Sequence, residues 1–131
     1  MKEKPLPYRL LADENTSHRL VAACRRLVNE FPAVHIATWA DGSWLGLDDA
    51  ALLIACAEHG LVLVAFDRAT LPWHAGQVVR AGENHGGLVL FRRAVRSTDY
   101  GQQSRLLTGF WGDEGHGWGW TNRIVYLPKS P

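Results

Sequence analysis

The stretch Leu61 to Phe66, "LVLVAF", most constrains what this chain can fold into. Its apolar residues follow one another without the alternation that a strand with one wet face would show. An unbroken apolar run this short reads as a strand covered on both faces, and such strands belong to parallel sheets with helices on either side. The run ends in a carboxylate, Asp67, so a core strand delivers an acid to the sheet edge.

The flanking sequence alternates strand and helix patterns on short connections. Tyr8 to Ala12 is a short strand running into "DEN", after which Thr16 or Ser17 can cap a helix. In that helix Leu20, Val21, Cys24, Leu27 and Val28 recur at offsets of three and four, and it should stop before Pro32. Residues 33 to 38 form a second strand, followed by the Gly- and Trp-containing loop "WADGSWLGL". Asp48 and Asp49 open the next helix, where an acid satisfies free N–H groups, and Gly60 ends it. Beyond Pro72 a short helix fits "WHAGQVVRAGENHG"; residues 87 to 91 make a fourth strand. A helix capped by Ser97 or Thr98 and a strand over residues 123 to 127 follow. This alternation predicts a single domain over residues 1–131, an α/β fold with a mostly parallel sheet.

Composition excludes several function classes. The chain has 131 residues, with 14 Lys and Arg against 13 Asp and Glu, a formal net charge of +1. No strong global field draws it to nucleic acid or membrane. Local clusters stand out, Arg19 with Arg25 and Arg26, and Arg92 with Arg93 and Arg96, but solvated faces explain them equally well. Cys24 and Cys56 have no second Cys or His at ligand spacing and read as buried hydrophobes of a reducing compartment. The N-terminal "MKEKPLPYRLLADEN" has no apolar signal core, and no run reaches the ~18 residues of a membrane span. A cytoplasmic, non-membrane protein is expected.

In open parallel sheets, ligands bind beyond the carboxyl ends of the strands, where strand order reverses. The first strand supplies Asp13 and Glu14 there, the third supplies Asp67, and the helix before the third starts at Asp48 and Asp49. Two unit charges ~4 Å apart repel by about 4 kcal/mol at an effective dielectric near 20, so clustered acids call for a cation. Mg²⁺ binds through one or two carboxylates plus water and phosphate oxygens, an arrangement that serves phosphodiester hydrolysis. Each of these acids also has a plain structural reading as a helix cap or turn residue, and Asp99, near the start of the later helix, reads as an acid in its N-terminal turn.

"LLADENTSHRLVAACRRL" followed by "DDAALLIACAEHGLVLVAFDR" resembles the small PIN-like proteins of bacteria. Their pattern is a strand ending in Asp-Glu-Asn, an Asp opening a helix, and a Thr-x-Asp-x-Asp tip on the next strand. Residues 9 to 92 are covered, and "GGLVLFR" fits the next strand of that pattern. The resemblance implies a three-layer α/β/α fold, a centre holding Mg²⁺ or Mn²⁺, and endoribonuclease activity, often as a toxin paired with an antitoxin protein. Carried over by position, the metal-binding and catalytic acids are Asp13, Asp49 and Asp67. Asp49 lies eighteen positions before Asp67, as in the pattern, which leaves Asp48 as the cap. Glu14, Asp48 and Asp99 are further candidates. The chain departs from the pattern at Ala65, where a threonine is usual, and at Ala69, where a second aspartate is usual. One orienting hydroxyl and one candidate ligand are thereby missing.

Arg19, Arg68 and Arg92 are positioned to hold RNA phosphates, a reading from sequence position alone. The six histidines are dispersed and make no zinc pattern; His74 near Asp67 or His18 near Asp13 could contact substrate. Trp39 and Trp44 lie in a loop where they could stack on unpaired bases, although filling core or a homodimer interface suits them as well. Two function classes follow: a metal-dependent ribonuclease, and a PIN-like module that kept the fold, lost catalysis with Ala65 and Ala69, and acts by protein or RNA binding.

Overall fold

The computed structural model describes residues 8–67 and 70–129. Among these residues, five strands form one sheet: β1 (Leu10–Ala12), β2 (Ala33–His35), β3 (Val62–Phe66), β4 (Leu88–Phe91) and β5 (Ile124–Leu127). Their order is β2-β1-β3-β4-β5, and every neighbouring pair is parallel. Four α-helices connect them: α1 (His18–Leu27), α2 (Asp49–His59), α3 (Thr70–Arg80) and α4 (Tyr100–Asp113). The result is an α/β fold of three layers.

Side-chain parity sorts each strand between two cores. Leu10, Ala12, Val62, Val64, Val89 and Phe91 point to the layer of α1 and α4, joining Leu20, Cys24, Leu107 and Phe110. Leu11, Leu63, Ala65, Leu88 and Leu90 point to the layer of α2 and α3, joining Leu53, Cys56, Leu71 and Ala75. Because both faces are dry, both parities must be apolar, and this is why "LVLVAF" shows no alternation. Both cysteines are buried and free.

Three crossovers share one hand and the fourth does not. The chain moves from β1 to β2 across the α1 layer, then back past β1 to β3 and on to β4 across the opposite layer. The step from β4 to β5 continues in the same direction, yet α4 lies with α1. Parallel crossovers almost always keep one hand. Here the exception leaves the apolar residues of β3 and β4 on that face covered by Leu107, Phe110 and Trp111 of α4.

Several element ends differ from the sequence expectation. Asp99, rather than Ser97 or Thr98, caps α4, its Oδ1 accepting from the Gln102 N–H at 3.0 Å. Helix α3 begins at Thr70, so Pro72 lies inside its first turn, where the missing N–H has no intrahelical partner to lose. Strand β2 stops at His35, and Ile36 still donates its N–H to the Ala12 carbonyl before the chain turns. Ser17 caps α1, Asp48 caps α2, and Gly60 closes α2 at φ +67°. Among the described residues no helix is long and apolar enough to cross a membrane.

Candidate functional site

Strand order reverses between β1 and β3: the chain leaves β1 toward β2 and leaves β3 toward β4. The carboxyl ends of these two adjacent strands therefore flank the crevice where doubly wound sheets bind ligands. Asp13 and Asp67 are the residues that follow them.

Asp13 continues the β1 ladder by one bond, its N–H donating to the Val64 carbonyl at 3.0 Å. Its Oδ1 accepts from the N–H groups of Asn15 (3.0 Å) and Thr16 (3.1 Å), and the Thr16 hydroxyl donates to the Asp13 carbonyl at 2.7 Å. This turn holds the side chain 9% exposed at the sheet edge. The next shell is a histidine. His35 meets the Thr16 carbonyl through Nε2 at 2.8 Å, while its Nδ1 lies 3.1 Å from the Ala37 N–H. An N–H can donate to Nδ1 only if that nitrogen is unprotonated, so the ring is the neutral tautomer with hydrogen on Nε2. Burial lowers the His35 pKa, helped by the charge of His18, whose ring stacks on it at 3.9 Å, and opposed by the bond to Thr16.

Asp67 donates its N–H to the Phe91 carbonyl at 2.7 Å and is half-buried. It lines an open groove of about 490 Å³ whose other walls include Phe66, Phe91, Arg93, Val95 and Arg96. The two phenyl rings lie 5.4 Å apart.

The remaining candidates are placed differently. Asp49 is the first residue of α2, and its Oδ2 lies 3.5 Å from Nε2 of His74 on α3. His74 thus stands beside Asp49. Asp48 accepts from the Ala51 N–H at 2.8 Å, Glu14 is exposed, and Asp99 caps α4. Among the described residues, no group of three or more His, Cys, Asp or Glu side chains stands where it could hold a metal ion. Of the three expected metal-binding acids, Asp13 and Asp67 end adjacent strands, and Asp49 opens α2 beside His74.

The cations follow the same logic. Arg92 donates through Nε to the Pro128 carbonyl at 2.6 Å and through its terminal nitrogen to the Lys129 carbonyl at 3.0 Å, with its guanidinium 5.3 Å from the Tyr126 ring centre. It fastens the end of β5. Arg19 lies 5.8 Å from the ring centre of Tyr100. Arg68 and Ala69 lie outside the described residues. Arg93 and Arg96, which the sequence marks only as a cluster with Arg92, line the groove with Asp67 and form no ion pair among the described residues. The signal was available: both lie within five residues of the end of β4, at the ligand-binding edge of the sheet.

Trp39 and Trp44 pack edge-to-face at 5.6 Å and against His59, partly buried on the α2–α3 core. Trp111 and Trp120 belong to the other core, with Trp118 packed against it. Trp111 and Trp120 fill core and the other three pack against it, whereas Trp73 is 59% exposed on the first turn of α3. Compared with known proteins, the chain matches no family model, no curated protein and no solved structure.

Proposed function

We propose that this protein is a PIN-like endoribonuclease whose site is reduced to Asp13 and Asp67. The observation that carries the reading is the position of these two acids, one after each of the adjacent strands that flank the reversal of strand order. Their oxygens are the hard donors that Mg²⁺ or Mn²⁺ prefers, and such ions accept one or two carboxylates with water and phosphate oxygens completing the shell. When bound, the ion supplies an activated water and neutralises charge on the phosphate. Asp13 contributes a carboxylate oriented by the N–H groups of Asn15 and Thr16, with the neutral His35 fixing that turn from behind. Asp67 contributes a carboxylate at the mouth of the groove, on the end of a strand buried from both sides. The resemblance to PIN-like toxins makes an antitoxin protein the natural partner and RNA the substrate.

A second reading, a PIN-like module that binds RNA or protein without cleaving, is favoured by one observation. Asp49 lies beside His74 of α3, Oδ2 3.5 Å from Nε2. Cleavage of single-stranded RNA with and without Mn²⁺, run beside RNA binding, separates the two. Metal-dependent cleavage lost in Asp67→Asn supports the nuclease; binding without cleavage supports the module; neither activity removes both.

A further inference from the structure

We propose that the groove between the ends of β3 and β4 and the turn before α4 binds the sugar–phosphate backbone of single-stranded RNA, with Arg93 and Arg96 as its phosphate contacts. This inference rests on the ribonuclease reading and assigns that site its substrate register. Three independent features of the groove converge on it.

First, its charge is uncompensated. Arg93 and Arg96 are both exposed, both line the groove, and neither forms an ion pair among the described residues. The acids nearest in sequence are otherwise employed or outnumbered: Asp99 caps α4, and among the described residues lining the groove Asp67 is one acid with two arginines. A single carboxylate beside two cations leaves net positive charge for an anion. Guanidinium groups also present forked donors that match phosphate oxygens.

Second, its shape suits a strand and not a point ion. A volume of about 490 Å³ open to solvent is too large for one phosphate, and its wall carries the partly exposed Phe66 side chain, backed by the fully buried Phe91, beside the cations. An apolar surface next to paired cations is how sequence-tolerant single-strand sites combine base contact with backbone contact.

Third, its location is chemically useful. Asp67 lines the same groove, so a backbone held by Arg93 and Arg96 runs past the carboxylate proposed for hydrolysis. The two arginines thereby act as positioning residues: they place a phosphodiester and do not touch the reacting atoms.

The test is binding of a single-stranded RNA oligonucleotide across a range of salt, in EDTA, for wild type, Arg93→Ala/Arg96→Ala and Arg80→Ala, alongside cleavage by each with Mn²⁺. Arg80 ends α3, at the opposite edge of the sheet, and serves as the control cation. Each phosphate contact to a single strand contributes ~0.7 to the slope of log K against log salt. The double variant is expected to lose about 1.4 from that slope and to raise KM for cleavage, with Arg80→Ala matching wild type. Unchanged affinity, slope and KM in the double variant, while wild type binds and cleaves, overturns the groove assignment and leaves the nuclease reading intact. A wild type that neither binds nor cleaves RNA overturns the nuclease reading and this inference with it.

Discussion

Nε2 of His74 lies 3.5 Å from Oδ2 of Asp49, so an acid that sequence position assigns to a shared cation site faces an imidazole on the neighbouring helix. Both groups are partly exposed, and such a pair is worth little to stability because water screens it. Its consequence is for the site. With Asp49 outside the working pair, Asp49→Asn should keep Mn²⁺-dependent RNA cleavage within about tenfold of wild type, the lower end of losses from residues that support metal ligands indirectly. A steady-state comparison checks this, and a loss beyond about a hundredfold would return Asp49 to the centre.

Acid should destabilise the fold through two buried histidines. Burial lowers the pKa of both His35 and His85 from the usual 6.5. Each Nδ1 receives a backbone N–H, from Ala37 and Gly87 respectively, which a proton on that nitrogen would abolish. As pH falls through about 6.5 the unfolded chain takes up protons that the folded chain resists, so stability declines below that pH and is recovered above it. Urea midpoints measured from pH 7.5 to pH 5 should fall steadily, and His85→Gln should flatten part of that slope.

The cysteines should be silent in the native state. Burial pushes the thiols of Cys24 and Cys56 up to about 12, and the thiolate is the reactive form. A thiol-titrating reagent at pH 8 should label neither residue in buffer and both in denaturant. Rapid labelling of the folded protein would show that one core opens locally.

Gly87 and Gly82 separate backbone conformation from crowding. Both have positive φ, +103° and +83°, but a Cβ on Gly87 would lie 2.7 Å from the Trp120 ring, whereas one on Gly82 would meet nothing within 4 Å. Gly82→Ala should cost roughly 1 kcal/mol from conformation, and Gly87→Ala at least about 2 kcal/mol more as Trp120 is displaced. Denaturation midpoints of the two variants give the difference directly.

How much of this was legible in the sequence depends on whether the cause is local. Strands β3 and β4 were readable because burial on both faces makes every position apolar. The Asp48 cap and the Gly60 stop were readable because they act within one turn. The cap of α4 was not, since Ser97, Thr98 and Asp99 are all competent and only the path of the chain after β4 selects one. The hand of the last crossover was hidden because it is decided by where Leu107, Phe110 and Trp111 find cover, a tertiary matter. The site divides the same way. Asp13 and Asp67 followed from strand ends, but the Asp49–His74 contact joins two helices whose packing no spacing rule specifies.

The central claim is that Asp13 and Asp67 together sustain phosphodiester cleavage. Its most direct measurement is single-turnover cleavage of one single-stranded RNA with Mn²⁺ by wild type, Asp13→Asn and Asp67→Asn, each first shown to unfold at the wild-type midpoint. We expect metal-dependent cleavage by wild type and a loss of at least about a hundredfold in each variant, as removal of a metal-ligating carboxylate demands. Equal cleavage by wild type and Asp67→Asn, or none by wild type, would contradict the account.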